Sequence, residues 1–255
     1  MKKIFFLFFL LPGSIAVAQD NYEIQVYSSP TQAKRSSIFE LHSNFTFDGE
    51  KQIVNKVLPS YHAVHETIEI TTGITDNFEI GVYFFTNISP GHGFHYVGSH
   101  IRPRITAPAR WKLPVGLSLS TELGFQKTDY SEDEWNAEIR PIVDKNWHKF
   151  YLSFNPTIGI SIKGFSGDHT PVFEPNLKLS YQFFPATSFG VEYYGSTGYI
   201  NHFESIDNEE HAVYAVYDLT GNAKWELNIG AGFGITPATD RLVAKILVGR
   251  KINWK

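Results

Sequence analysis

Cysteine does not occur in the 255 residues, which removes both a disulfide framework and a lipid-modified N-terminal cysteine from the structures open to an exported chain. Charge of one sign is equally scarce. The 22 lysines and arginines against 26 aspartates and glutamates leave a formal charge of -4, so there is no basic surface to attract nucleic acid. No apolar stretch reaches the roughly 20 residues that a membrane-spanning helix needs, so any crossing of a bilayer has to be made by strands. A G-x-S-x-G elbow is missing, and no Ser/His pair stands out on an apolar face as the nucleophile and base of a lipid-modifying enzyme, so no catalytic residue is assigned. What the chain does have is aromatic residues, 15% of the total, within a moderate 42% hydrophobic content and a mean hydropathy of -0.18. Those averages suit a soluble protein, and they equally suit a transmembrane barrel, because half of each barrel strand faces a polar interior.

Residues 1–18 read as a secretory signal peptide. Lys2 and Lys3 precede an apolar run over 4–11, then come Pro12, Gly13 and the cleavage site Ala16-Val17-Ala18. The run is too short for a membrane anchor, and the mature chain is expected to start at Gln19. Residues 19–35 hold only a strand-like patch over 23–27 and a stretch of Ser, Pro, Thr and Gln. That is too short for a domain; a periplasmic lead-in, a strand lying in a lumen and a small plug all fit.

From residue 36 to 255 the pattern is alternation, clearest over 224–254. There Trp225, Leu227, Ile229, Ala231, Phe233 and Ile235 alternate with Glu226, Asn228, Gly230, Gly232 and Gly234. After a turn at 236–240, Leu242, Ala244, Ile246 and Val248 carry one parity on to Ile252 and Trp254. A strand of about ten residues, apolar on one side and tipped by an aromatic, is what a tilted bilayer crossing requires. This hairpin is therefore expected to close a barrel.

Ten further strands obey the same test. The first sets Phe39, Leu41, Phe45 and Phe47 against Glu40, His42, Asn44 and Thr46. The second sets Ile68 and Ile70 against His65, Thr67 and Glu69, with Glu66 left on the apolar face. The third has Phe78, Ile80, Val82 and Phe84 outside and Glu79, Gly81 and Tyr83 inside; the fourth has Val97, Ile101 and Ile105 outside and His100, Arg102 and Arg104 inside. In the fifth, Val115, Leu117, Leu119, Leu123 and Phe125 oppose Ser118, Ser120, Glu122 and Gln126. In the sixth, Trp135, Ala137, Ile139 and Val143 oppose Asn136, Glu138 and Arg140. The seventh opposes Phe150, Leu152, Phe154, Ile158, Ile160 and Ile162 to Tyr151, Ser153, Asn155, Thr157 and Lys163. The eighth opposes Phe173, Leu177, Leu179, Tyr181 and Phe183 to Glu174, Asn176, Lys178 and Gln182. Val191 and Tyr193 face away from Glu192 and Tyr194 in the ninth, and the tenth places Val213, Ala215, Tyr217 and Leu219 outside so that Asp218 faces in.

The connections alternate as well. Those at 48–60, 87–95, 127–134, 164–170 and 196–210 are expected to be long and polar, and those at 73–77, 108–113, 145–148, 185–188 and 220–223 short. Outer-membrane barrels keep their short turns in the periplasm, which puts both termini there. Trp111, Trp147, Phe183, Phe189, Trp225 and Trp254 fall near the short turns, as an interfacial girdle would. A soluble antiparallel sandwich alternates in the same way and is the competing fold.

Several segments carry a family resemblance: Glu40-Leu41-His42-Ser43-Asn44-Phe45-Thr46-Phe47-Asp48-Gly49, Tyr61-His62-Ala63 with His65-Glu66-Thr67, Gly98-Ser99-His100-Ile101-Arg102-Pro103-Arg104, and Glu138-Ile139-Arg140-Pro141. Together they resemble a family of outer-membrane β-barrels grouped under the MetA pathway of phenol degradation, over nearly the whole mature chain. The resemblance implies a transport role for aromatic compounds, and it implies no particular catalytic or binding residues.

The reading is thus an all-β, antiparallel transmembrane β-barrel of about twelve strands in an up-and-down meander, set in the lipid of a Gram-negative outer membrane. Its expected function is passive, porin-like passage of small solutes, aromatic or apolar compounds among them. A closed structural barrel that binds through its outer loops is the alternative, and a lipid hydrolase ranks third. Glu40, Glu69, Glu79, Glu122, Glu138, Glu174, Glu192 and Glu226, with Arg102, Arg104, Arg140, Lys178 and Lys245, have inward parity, because a lysine or arginine on the lipid face costs about 2–4 kcal/mol at mid-bilayer. They form either a salt-bridge ladder that fills the wall or a polar path that selects the solute. Within this set, Arg102 and Arg104 are expected to face and pair with Glu122. His42, His65 and His100 join the lumen network. No cofactor or metal is expected, since His62 and His65 on one strand would point to opposite faces.

Overall fold

The computed structural model describes residues 21–219 and 224–254. The expected signal peptide and the turn at 220–223 lie outside the described residues. Twelve long strands follow one another: β1 (Ser36–Asp48), β2 (Val64–Thr75), β3 (Phe78–Ser89), β4 (Gly93–Thr106), β5 (Gly116–Gln126), β6 (Asp133–Trp147), β7 (Phe150–Gly164), β8 (Val172–Phe184), β9 (Thr187–Ser196), β10 (Glu210–Leu219), β11 (Trp225–Gly234) and β12 (Leu242–Asn253). Each pairs antiparallel with its neighbour in sequence, and β12 pairs with β1, with Ser36 opposite Asn253 and Phe45 opposite Ala244. The sheet therefore closes on itself and leaves no long edge unpaired. The pairs Gly198–Tyr199 and His202–Phe203 add a small hairpin beside β8.

The period of two decides which face is which. Leu41, Ile68, Phe84, Ile101, Leu123, Ile139, Leu152, Leu179, Val191, Ile229 and Ile246 are exposed around the outer wall, while the buried residues are predominantly polar or charged. A sandwich would bury its apolar face, whereas this barrel presents it outward, as lipid requires. At the short-turn end, ring contacts run from Trp147 to Phe150, Tyr181, Phe183, Phe189 and Tyr217 with centroids 4.9–6.3 Å apart, a continuous aromatic arc over β6 to β10.

Four details depart from the sequence reading or complete it. Val97, expected outside, is fully buried: β4 shifts register by one between the partners of Phe85 and Thr86, and the extra residue turns inward against Tyr22, Tyr83 and Phe85. Lys163, expected inside, is 65% exposed at the rim and pairs with Glu134 at 2.6 Å, where β6 and β7 shift register at Trp135. Glu66 does face outward, opposite Ser43, whose Oγ donates to Glu66 Oε1 at 2.7 Å. The connection expected over 87–95 shrinks to residues 90–92 because β3 and β4 pair out to Ser89 and Gly93.

The inward glycines of β11 make room for neighbouring side chains. A β-carbon at Gly232 would stand 2.2–2.5 Å from atoms of the Tyr214 ring. Gly232→Val should force that ring off its rotamer, an overpacking cost of about 1–3 kcal/mol, seen as loss of the heat-modifiable folded gel band at lower temperature. A band as heat-stable as the wild type would mean that the glycine is not there for the tyrosine.

Candidate functional site

The lumen is not empty. Residues 21–35 run through it, starting near the long connections, where Asn21 Nδ2 donates to Asp240 Oδ2 at 3.2 Å, and ending at the short-turn end, where Lys34 bridges Gly73. The chain then doubles back into β1. A lone extended segment inside a barrel has no strand partner, yet its buried amides and carbonyls still need hydrogen bonds. The wall side chains supply them. Asn44 Nδ2 donates to Asn21 O at 2.8 Å, Thr67 Oγ1 to Tyr22 O at 2.6 Å, Lys245 Nζ to Ile24 O at 2.9 Å and Ser153 Oγ to Tyr27 O at 2.6 Å. Both terminal nitrogens of Arg104 donate at 3.0 Å, to Ser28 O and Pro30 O. In the other direction, Tyr27 N donates to Asn155 Oδ1 at 2.7 Å, Ser29 N to Asp144 Oδ2 at 2.9 Å and Gln32 N to Glu79 Oε2 at 2.5 Å. Much of the inward polarity therefore serves this segment.

Tyr27 sits at the centre. The Arg102, Arg104 and Arg140 guanidinium carbons lie 4.9, 5.7 and 4.6 Å from its ring centroid, and its hydroxyl meets Tyr83 Oη at 3.1 Å and Glu23. Cations over an aromatic face in a desolvated place attract it strongly. Ile24 and Val26 complete the seating against Tyr194, Tyr214, Val216 and Val243.

The inward charges divide into groups. On β2 to β4, Arg102 pairs with Glu69 at 2.6 Å and Glu79 at 3.2 Å, and Arg104 pairs with Glu79 at 2.6 Å. Arg102 also donates to Tyr83 Oη and to Thr71 Oγ1. On β8 to β12, Lys178 joins Glu192 at 2.9 Å and Asp218 at 2.7 Å, and Lys245 joins Glu192. Between them Arg140 holds Glu138 at 2.8 Å and Glu23 of the lumen segment at 3.3 Å. Glu40 and His42 border the first group, with His42 Nε2 3.4 Å from Glu69. His100 Nδ1 meets Glu122 at 2.5 Å, His65 lies edge-on to Tyr22, and Glu174 faces the cavity described below. Glu226 lies across Gly249 from Glu40, half-exposed and 3.5 Å from Lys251.

Neither Arg102 nor Arg104 pairs with Glu122. The register sets Arg104 opposite Ser120, and each charge has another partner. Arg104→Ala and Glu122→Ala should accordingly lower stability additively, within about 0.3–0.5 kcal/mol, whereas Arg104→Ala with Glu79→Ala should show a coupling of about 0.5–3 kcal/mol in a double-mutant cycle. Equal coupling in the two pairs would contradict the interior arrangement. Asp144 and Tyr27 are the functional residues that sequence reasoning missed, and Asn155, given inward parity, had no role assigned to it. Asp144 shares the inward parity of Glu138 and Arg140, but nothing in a parity count marks Tyr27.

Above the lumen segment lies a cavity of about 340 Å³. Residues 49–63 lie across its mouth: Leu58 N donates to Asp129 O at 2.8 Å and Asn55 Nδ2 to Glu132 Oε1 at 2.9 Å, while Ser60 Oγ and Glu50 N bond Asp240 Oδ1 at 2.7 and 3.1 Å. Burial raises the carboxyls of Glu132 and Asp240 above their ordinary values, opposed by these hydrogen bonds. The charged lining consists of Glu23, Glu50, Glu122, Glu132, Asp133, Glu138, Asp168, Glu174, Glu210 and Asp240 against Arg140 alone.

Among solved structures, the chain matches the COG4313 outer membrane channel from Pseudomonas putida F1 over 90% of its own length and 100% of that chain, with TM-score 0.57 and 11% identity. The fold is that of the outer-membrane β-barrels. NanC porin (TM-score 0.54, 7% identity, 85% of this chain and 100% of that one) and KdgM porin in complex with disordered oligogalacturonate (0.51, 8%, 86% and 99%) share it. No family model matches the chain, and neither does any curated protein.

Proposed function

We propose that the protein is an outer-membrane channel that passes small solutes without an energy source, favours cations and neutral molecules over anions, and is closed in the state described by residues 21–35. The observation that carries this reading is the cavity with ten carboxylates against one arginine in its lining. Low-dielectric walls lined by one sign of charge concentrate ions of the opposite sign. The short-turn end belongs in the periplasm, as in bacterial barrels generally. A solute entering from outside then meets the carboxylates first and the lumen segment next.

Tyr22, Tyr130, Tyr194, Tyr199 and Tyr214 are also among the residues that line the cavity, and aromatic side chains suit contact with a ring. They favour the finer reading that phenols and aromatic amines are among the solutes, in keeping with the resemblance to the phenol-degradation grouping. Reversal potentials in a salt gradient across planar bilayers, together with liposome swelling in sugars, phenol and amines, test the proposal. A reversal potential on the cation side and faster swelling with amines than with carboxylates are expected. Anion preference would refute the selectivity, an impermeable barrel would favour a structural role, and release of fatty acid from added phospholipid would favour an enzyme.

A further inference from the structure

The register of β1 and β2 sets Glu40 directly opposite Glu69, and His42, two residues along β1, shares their inward face. All three side chains are buried, and one ligand atom from each lies within 4.8 Å of the others. His42 Nε2 stands 3.4 Å from Glu69 Oε2, with the side chains 2% and 1% exposed. Apart from this contact neither atom makes a hydrogen bond, a condition that buried polar atoms normally escape by finding a donor, an acceptor or an ion. The other oxygen of Glu69 is held by Arg102 Nη2 at 2.6 Å, which fixes the carboxylate plane as an outer partner does for a ligating carboxylate. The local charge leans the same way: the ion pairs join Arg102 and Arg104 to Glu69 and Glu79 and leave Glu40 out.

We propose that Glu40, His42 and Glu69 bind a divalent first-row metal ion of the zinc class in the wall of the lumen. With bonds of about 2.0–2.1 Å, neighbouring ligand atoms of a tetrahedral site lie roughly 3.3–3.5 Å apart, the separation that His42 Nε2 and Glu69 Oε2 already have. Glu40 completes the set by a side-chain rotation and leaves a fourth position for water. One imidazole with two carboxylates suits zinc or a neighbouring ion better than calcium, which takes about six to eight oxygens. Bound there, the ion ties β1 to β2 beside the seam where β12 closes on β1. The site stands whether or not the barrel conducts.

The folded protein in detergent, stripped with a chelator that is then removed, should take up a single equivalent of Zn²⁺ in a calorimetric titration. Co²⁺ in its place should give the intense visible absorption of a four-coordinate ion. His42→Ala and Glu40→Gln should each abolish both signals, whereas His65→Ala and His100→Ala should keep them. No Zn²⁺ uptake by the wild-type chain, uptake that survives His42→Ala, or a weak six-coordinate Co²⁺ spectrum would overturn the proposal. Where a variant fails to fold, the wild-type cobalt spectrum decides.

Discussion

Deleting residues 21–35 should raise single-channel conductance severalfold while leaving a folded, heat-modifiable barrel. The backbone of every wall strand is paired with its neighbours independently of the segment, so the ladder survives the deletion. The side chains that serve the segment, among them Asn44, Thr67, Arg104, Asp144, Ser153, Asn155 and Lys245, exchange a protein partner for water. That exchange is nearly neutral for each neutral group in a wet lumen. The apolar contacts of Tyr22, Ile24 and Val26 are lost as well, so the folded band should melt somewhat earlier. Tyr27→Ala should act in the same direction and less, because it removes the ring between three guanidinium groups but leaves the backbone contacts. Unchanged conductance after the deletion would mean that the segment does not stand in the path, and the proposed closed state would be withdrawn.

Arg102→Ala should be the most damaging single substitution in the wall. Its guanidinium is bonded to Glu69, Glu79, Thr71 and Tyr83, and both carboxylates are almost fully buried. Removing one member of such a set leaves charge in a place that water cannot reach, a loss of about 3–5 kcal/mol for a buried pair. By contrast Lys163→Ala, at the exposed Glu134 pair, should cost about 0–1 kcal/mol. Adding Glu69→Gln to Arg102→Ala should restore part of the loss, because the uncompensated charge goes with it. Urea unfolding in detergent, followed by tryptophan fluorescence and the gel shift, reads all three variants. An Arg102→Ala barrel within about 1 kcal/mol of wild type would mean that the cluster is hydrated or that its carboxylates pick up protons at little cost.

Alternation is a local property, and it was legible in the chain. A period of two needs only neighbouring residues, so the strands, their outward faces and the girdle of Trp147, Phe183 and Phe189 could be read without a partner in view. The inward parity of Glu69, Arg102, Arg140, Lys178, Glu192 and Lys245 was legible for the same reason, since charge on the lipid face is costly at any register. Which charge meets which was not legible. Partners depend on register, and register accumulates through bulges and turn lengths; one extra residue in β4 turned Val97 inward, and Arg104 sits opposite Ser120 while bonding Glu79. The course of residues 21–35 was hidden for a further reason. Their partners are side chains on strands from β1 to β12, as far apart in sequence as Asn44 and Lys245, and a segment that meets a strand backbone only at its end, where Lys34 bridges Gly73, leaves no repeating pattern in its own residues. Only closure of the barrel gathers those side chains around one axis, and that closure, with Phe45 brought opposite Ala244 at the seam, is what decides that the segment has somewhere to lie.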